Sequence, residues 1–131
     1  MFAPDIKILV VDDMLTMRKL VSKALKDLGF SNIVEASDGV IGWDAFSKAE
    51  PAFGLVISDW NMPNMTGLDF LKKVRADAKF KSTPFLLLTA ETEAAQVTAA
   101  LTAGVNGYVV KPFTAAGLKA QLEKISAKKA A

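Results

Sequence analysis

The chain has 131 residues, 51% of them hydrophobic, and a formal net charge of only +2. This length predicts one domain that buries enough apolar surface to fold without disulfides or a structural metal. Because the sequence contains neither cysteine nor histidine, it excludes disulfides, thiolate or imidazole metal ligands and histidine-based catalysis.

Short apolar runs alternate with helical patterns along the whole sequence. In order, the expected elements are a strand over 6–11, a helix with its apolar stripe over 17–28, a strand over 33–36, a helix over 40–49, a strand over 53–58, a helix with its stripe over 68–74, a strand over 85–89, a helix over 94–103, a strand over 107–110 and a helix with its stripe over 115–125. Gly29 and Gly104 are expected to end the first and fourth helices. Met14 and Met17 are expected to pack at the first helix.

This fivefold alternation predicts an α/β fold, with a mostly parallel sheet and helices on both of its faces. The crossover connections of such a sheet are right-handed almost without exception. The elements fill residues 1–131, and we expect a single domain with no output domain. Ligands of doubly wound sheets bind beyond the carboxyl ends of the strands, at the topological switch point.

Charged residues end three of the expected strands. Asp12 and Asp13 follow the first strand, Asp59 follows the third and Lys111 follows the fifth. Two carboxylates about 4 Å apart repel by about 4 kcal/mol at an effective dielectric of about 20, so a group of three needs a compensating cation. Carboxylate oxygens suit Mg²⁺, and a lysine ammonium can hold a phosphoryl oxygen. The pattern therefore predicts a magnesium and phosphoryl site.

Each of these residues also has a purely structural interpretation. Asp12 and Asp13 can form a solvated turn that caps the next helix, and Lys111 can simply neutralise the acidic group. Thr89, at the end of the fourth strand, can cap the following helix or donate to a phosphoryl oxygen. Tyr108 can be an ordinary packing residue. Only the combination of the charged positions favours the functional interpretation.

Several segments resemble the receiver domains of response regulators, and most of all the single-domain chemotaxis regulators of that family. They are Val10-Val11-Asp12-Asp13, Asp59-Trp60-Asn61-Met62-Pro63-Asn64-Met65-Thr66-Gly67, Leu88-Thr89-Ala90 and Gly107-Tyr108-Val109-Val110-Lys111-Pro112-Phe113. The likeness covers essentially the whole chain. It implies a single doubly wound, flavodoxin-like (βα)5 domain, with a five-stranded parallel sheet in the order 2-1-3-4-5.

The resemblance also implies roles for the acidic residues. Asp59 would be the phosphoacceptor, which takes a phosphoryl group from a phosphohistidine of a sensor histidine kinase. Asp13, Asp59 and the backbone carbonyl of Asn61 would bind Mg²⁺, and Asp12 would act through a metal-bound water. The protein would be a phosphoacceptor and not an enzyme, apart from its own phosphotransfer and autodephosphorylation.

Other positions would handle the phosphoryl group and the signal. Lys111 and Thr89 would bind the phosphoryl oxygens, while Asn61 and Glu91 would tune how fast water removes the group. Thr89 would move on phosphorylation, and Tyr108 would rotate into the space that it leaves. The surface of the fourth helix, fifth strand and fifth helix would then change.

The chain departs from the best-known chemotaxis regulators at two places. Thr92-Glu93-Ala94 stands where those proteins carry lysines, which leaves the partner surface open. Thr66-Gly67 replaces their Asp-Gly pair in the loop after the third strand, a change that we expect to be tolerated.

The expected partners are a chemotaxis-type histidine kinase, the flagellar motor switch protein and a phosphatase. A phosphate sink or a non-motility adaptor is the alternative within this class. We expect a cytoplasmic monomer that binds neither nucleic acid nor membrane, since no basic cluster is interleaved with aromatic residues and no apolar run approaches about 20 residues.

Two other classes fit less well. An FMN carrier would need a neutral phosphate-binding loop where Asp12 and Asp13 stand. A magnesium-dependent phosphohydrolase would usually carry an Asp-x-Asp pattern after the first strand, which Asp12-Asp13-Met14 lacks.

Overall fold

A computed structural model describes residues 2–89, 94–111 and 113–130, and strands and helices alternate along them. The elements are β1 (Ile8–Val11), α1 (Leu15–Asp27), β2 (Ile33–Ala36), α2 (Gly39–Lys48), β3 (Leu55–Asp59), α3 (Gly67–Ala76), β4 (Phe85–Thr89), α4 (Ala94–Thr102), β5 (Gly107–Val110) and α5 (Ala115–Ala130). Within the described residues, no helix combines the length and the apolar character needed to cross a bilayer.

The five strands form one parallel sheet in the order β2-β1-β3-β4-β5. The order that the family resemblance implied is therefore confirmed. The chain leaves β1 toward β2 on one side and returns to β3 on the other, so the switch point lies between β1 and β3. Their carboxyl ends are the ends at which a doubly wound sheet binds its ligands.

The two faces of the sheet bury different helices, because successive strand residues point to opposite sides. Val10 and Ile57 lie in a core with α1 and α5, which contribute buried residues such as Leu25 and Leu122. On the other face, the core around Val11 receives the buried apolar side chains of α2, α3 and α4. The continuous apolar runs of β1 and β4 are typical of strands covered on both sides.

Two predicted strands have different bounds. β1 begins at Ile8, not at residue 6, because the N–H of Ile6 donates to Ala3 O in a turn outside the sheet. β3 covers Leu55–Asp59 instead of 53–58. It extends farther because the N–H of Trp60 still donates to Leu88 O of β4, at 2.9 Å, so Asp59 is part of the strand and not a residue after it.

The helices also show small departures. α2 and α4 differ by one residue from the expected bounds, whereas Gly29 and Gly104 end α1 and α4 as predicted, with φ of 102° and 92°. Glycine adopts this left-handed region without the steric cost of a Cβ. Leu20 belongs to the apolar stripe predicted over 17–28, and Met14 is predicted to pack at the same helix. Both predictions are wrong, since these residues are 49% and 57% exposed. The inner face of α1 is occupied by other residues of its stripe, Val21, Ala24 and Leu25.

Gly67 determines how closely α3 approaches the end of β3. Its N–H donates to Trp60 O at 2.8 Å. A Cβ added at Gly67 would collide with the carbonyl oxygen of Asp59 and lie 2.9 Å from a methyl group of Leu87. The first of these atoms belongs to the backbone and cannot rotate away, so only glycine fits here without displacing the strand end.

We therefore expect Gly67→Ala to lower the free energy of unfolding by about 2 kcal/mol, within the usual cost of inserting a methyl group into a filled space. Urea titration followed by circular dichroism measures the loss. Gly117→Ala is the matched control, because that Cβ meets only a threonine hydroxyl at 3.1 Å and alanine favours the helix. Equal stability of the two variants would contradict the close approach.

Candidate functional site

The carboxyl edge of the sheet brings together the charged residues that end its strands. Asp59 is the last residue of β3, Asp12 follows β1 and Lys111 follows β5. By alternation, all three continue the face that packs against α1 and α5, since they stand two residues after Ile57, Val10 and Val109 of that core. Their side chains therefore start from one side of the sheet.

Lys111 is the cation of the site. Its Nζ donates to Oδ1 of Asp59 at 2.8 Å and lies 3.4 Å from Oδ2 of Asp12. The side chains of Asp12, Asp59 and Lys111 are only 1%, 8% and 15% exposed. At such burial the ammonium compensates the repulsion between the two carboxylates far better than a surface ion pair does.

Main-chain N–H groups also hold both carboxylates. The N–H of Trp60 donates to Oδ1 of Asp59, and the N–H of Met14 donates to Oδ1 of Asp12, each at 2.9 Å. Asp12 also continues the ladder with β2, because its N–H donates to Ala36 O at 3.1 Å. The two acids are thus held in fixed directions by main-chain donors.

Asp13 completes a group of three carboxylates. It is exposed, and one oxygen of each of Asp12, Asp13 and Asp59 lies within 4.8 Å of the others. Hard oxygen donors converging beside solvent suit a hydrated divalent cation such as Mg²⁺, which keeps several waters and takes one or two carboxylates. The donor set of this cluster therefore fits the predicted metal.

The surroundings of the cluster raise the pKa values of Asp12 and Lys111. Burial, helped by the charge of Asp59, raises the pKa of Asp12 above its ordinary value of 3.8, although the Met14 N–H and Lys111 act in the opposite direction. Burial alone would lower the pKa of Lys111, but its hydrogen bond to Asp59 and the charges of Asp59 and Asp12 outweigh burial and raise it. Lys111 therefore remains an ammonium at neutral pH.

The remaining predicted site residues lie around this cluster. Thr89 is a buried residue at the end of β4, and its carbonyl accepts the N–H of Lys111 at 2.8 Å. Tyr108 is half-buried on β5 and packs against the core under α2, α3 and α4. Asn61 is exposed in the loop after β3. Glu91 lies outside the described residues, as does Pro112.

Asp12 and Thr66 both accept an N–H at the start of a helix. Asp12 does bind an N–H next to the start of α1, but it does so as a buried residue and not in a solvated turn. Thr66, which replaces the aspartate usual in the family, caps α3 by accepting the N–H of Asp69 at 3.1 Å. Its hydroxyl supplies the helix cap that an aspartate would supply.

Arg18 is a contact of the site that the sequence did not indicate. Its Nη1 donates to the carbonyl oxygen of Asp12 at 2.7 Å, and its Nε lies 3.4 Å from Glu35 on β2. One signal was present: an arginine lies in the first turns of α1, where the helix dipole disfavours a cation.

Comparisons with known proteins identify the family. The response regulator receiver domain model matches residues 8–123. The chain is 51% identical over 121 residues to chemotaxis protein CheY-3 of Vibrio cholerae serotype O1, a match that covers 92% of each chain. It is 50% identical over 119 residues to chemotaxis protein CheY of Pseudomonas aeruginosa, over 91% of this chain and 94% of that one.

Solved structures agree with this match. The structure of chemotaxis protein CheY4 of Vibrio cholerae superposes with a TM-score of 0.84 at 38% identity, over 92% of this chain and 98% of that one. A response regulator receiver domain protein of Clostridium thermocellum gives a TM-score of 0.82 at 28% identity, over 95% of this chain and 97% of that one. The chain therefore belongs to the response regulator receiver domain family. This family consists of signalling domains of phosphorelays and is not a classical enzyme family.

The raised pKa of Asp12 has a consequence for stability. In the metal-free folded protein Asp12 binds its proton more tightly than in the unfolded chain. Its ionisation therefore opposes folding as pH rises from the ordinary pKa through the raised pKa of the folded state. We expect Asp12→Asn to raise the free energy of unfolding in chelator at pH 7. This gain should shrink as pH falls and vanish below about 4, near the ordinary pKa.

Urea titrations of both proteins between pH 3 and 8 measure this difference. The control is Asp44→Asn, which removes an exposed carboxylate of α2 that pairs with Lys48 on the same helix. A stability difference for Asp12→Asn that does not depend on pH would contradict the assigned cause.

Proposed function

We propose that the protein is a single-domain chemotaxis response regulator that accepts a phosphoryl group on Asp59 from a sensor histidine kinase. The observation that carries the proposal is the position of Asp59, which ends the central strand β3 with Lys111 Nζ at 2.8 Å and two further carboxylates beside it. The two chemotaxis proteins that share about half of the sequence support the chemotaxis assignment.

Mg²⁺ would be held by Asp13, Asp59 and the backbone carbonyl of Asn61, with Asp12 acting through a bound water. When bound, the ion offsets the negative charge of the acidic cluster and of the incoming phosphoryl oxygens. The exposure of Asp13 and Asn61 agrees with this assignment, because it leaves the solvent side of the cluster open to the ion and its waters.

The proposed reaction is a direct transfer. A carboxylate oxygen of Asp59 forms a bond to phosphorus while the bond from phosphorus to the imidazole nitrogen of the donor phosphohistidine breaks. That nitrogen retains the electron pair. The product on this chain is an acyl phosphate, an established kind of covalent intermediate.

Lys111 and Thr89 are the proposed ligands of the phosphoryl oxygens. Lys111 is protonated and already within 2.8 Å of Asp59, so a small movement of its flexible stem suffices to meet an oxygen attached to that residue. Water later removes the phosphoryl group, at a rate that Asn61 and Glu91 tune. The protein is thus both the substrate and the site of its own phosphotransfer.

The proposed signal passes through β4 to β5. Thr89 is paired with Val110 in the sheet register and Leu87 with Tyr108, so Thr89 and Tyr108 stand diagonally on the same face. That face packs against α2, α3 and α4, and not against α1 and α5. A shift of Thr89 toward the phosphoryl group would therefore open space on the side where Tyr108 packs.

The output surface would consist of α4, β5 and α5. A groove of about 320 Å³ lies there, lined by Tyr108 and residues such as Leu101 and Lys124. Leu101 is 59% exposed, which leaves an apolar contact for a partner. The proposed partner is the flagellar motor switch protein, and a phosphatase acting on Asp59 is a further candidate.

The proposal is tested by a pull-down against the purified flagellar switch protein. Beryllofluoride with Mg²⁺ mimics an aspartyl phosphate, so we expect the treated protein to bind clearly more switch protein than the untreated one. Asp59→Asn, which lacks the carboxylate that beryllofluoride needs, should bind equally with and without the reagent.

Two results would contradict parts of the proposal. Equal binding by the treated wild-type protein and Asp59→Asn would exclude phosphorylation-dependent motor control. Failure of both to bind, while Asp59 still accepts a phosphoryl group from the kinase, would favour the phosphate-sink or adaptor alternative.

The role of Tyr108 has its own prediction. Tyr108→Ala should reduce the ratio of partner affinities with and without beryllofluoride by about fivefold or more, the lower range of measured couplings between sites. Fluorescence anisotropy with a labelled switch-protein fragment measures both affinities. Tyr108→Phe keeps the ring and is the matched control.

Unchanged affinity of Tyr108→Ala in both states would remove Tyr108 from the signalling route. An equal loss in both states would make Tyr108 a simple contact residue of the output surface.

A further inference from the structure

We propose that Arg18 is a positioning residue for the metal site, because it holds the backbone at the point where Asp12 and Asp13 leave the sheet. This inference rests on the proposed Mg²⁺ site. It assigns a role to a residue of α1 that touches neither the metal ligands' carboxylates nor the phosphoacceptor.

Arg18 makes a short contact with the backbone of Asp12. Its Nη1 donates to the carbonyl oxygen of Asp12 at 2.7 Å, at the short end of the range for charge-assisted hydrogen bonds. The side chain of Arg18 is only 15% exposed. The contact crosses six positions of sequence, from α1 back to the end of β1, and is therefore a tertiary contact and not part of the helix.

The contact of Arg18 with Asp12 reaches Asp13 through the peptide unit that joins them. The peptide unit is planar, so the direction of the Asp12 carbonyl also fixes the N–H and Cα of Asp13. The carboxylate of Asp12 is held by Met14 and Lys111, whereas that of Asp13 is exposed and projects from this backbone. Arg18 thus fixes the backbone from which the exposed carboxylate of Asp13 projects.

The positive charge of Arg18 is balanced by a neighbouring carboxylate. A free cation beside the cluster would compete with Mg²⁺, but the guanidinium also faces Glu35 at 3.4 Å. Burial acts to raise the pKa of Glu35, yet the hydrogen bond and charge of Lys19, with Ser22 and Arg18, outweigh it and lower the pKa. Glu35 is therefore ionised at neutral pH, and its negative charge offsets the positive charge of Arg18. The principal effect of Arg18 on the metal site is then its hold on the Asp12 backbone.

The inference differs from a role in stability alone. Arg18 connects α1, β1 and β2, and a merely structural tie would change the free energy of unfolding without changing metal affinity. Residues that orient metal ligands from outside the coordination sphere typically change metal affinity by 10- to 100-fold when replaced. Metal affinity is therefore the readout that separates the two roles.

The experiment uses the full chain and Mg²⁺ alone, at fixed ionic strength, with backbone amide shifts of Asp13, Met14 and Trp60 followed by NMR. Arg18→Lys keeps the charge but loses the planar fork that reaches both Asp12 and Glu35. We expect it to raise the Kd for Mg²⁺ about tenfold. Lys19→Arg is the matched control: this exposed neighbour contacts the same Glu35 at 3.0 Å, and its Kd should stay within about twofold of wild type.

A second variant separates geometry from charge. Arg18→Gln removes a cation, which by itself would strengthen Mg²⁺ binding, so a weaker binding by this variant supports the positioning role. Tighter binding would show that Arg18 is only a nearby charge and would overturn the inference. Thermal unfolding of each variant establishes that it is folded at the titration temperature.

The outcomes distinguish this inference from the proposed function. If the wild-type protein binds Mg²⁺ and Arg18→Lys binds it with an equal Kd, the positioning role is overturned and the proposed site remains intact. An equal loss in Arg18→Lys and Lys19→Arg assigns the effect to Glu35 pairing and also overturns it. No saturable Mg²⁺ response in the unmodified protein overturns the metal site and the inference together.

Discussion

The close approach of two buried carboxylates, Asp12 and Asp59, is the constraint on which the site depends. Their side chains are 1% and 8% exposed, and the Nζ of Lys111 lies between them at 3.4 Å and 2.8 Å. Such an arrangement is tolerable only because the parallel register brings the ends of β1, β3 and β5 to one edge, on one face. A shift of one residue in any of these strands would turn its charged group to the opposite face.

The alternation of strands and helices could be predicted because its signals are local and repeated, and the strand ends placed Asp12, Asp59 and Lys111 at one edge. The strand order came from the family resemblance. The details that depend on tertiary packing could not be predicted from the sequence. Sequence does not reveal that Lys111 lies closer to Asp59 than to Asp12. It also does not reveal that Leu20 points to solvent, because a three-to-four-residue spacing leaves the edges of a helical stripe undefined. The roles of the site residues stay predictions until they are tested.

The two faces of the sheet suggest how a signal can leave the site. Asp12, Asp59 and Lys111 continue the face packed on α1 and α5, whereas Thr89 and Tyr108 belong to the face under α2, α3 and α4. Thr89 nonetheless touches the first group through its carbonyl, which accepts the N–H of Lys111 at 2.8 Å. In the proposed mechanism, β4 is therefore the element through which a charge change on one face alters packing on the other.

The charge balance of the cluster also indicates an order of events for the proposed reaction. Asp12, Asp13 and Asp59 with Lys111 leave two negative charges at a site that must accept an anionic phosphoryl group. At an effective dielectric of about 20, like charges about 4 Å apart repel by about 4 kcal/mol, which opposes the approach of the donor. One divalent cation would neutralise these two negative charges. The metal should therefore bind before the phosphodonor, and any residue that orients Asp13, as Arg18 is proposed to do, would act on this earlier step.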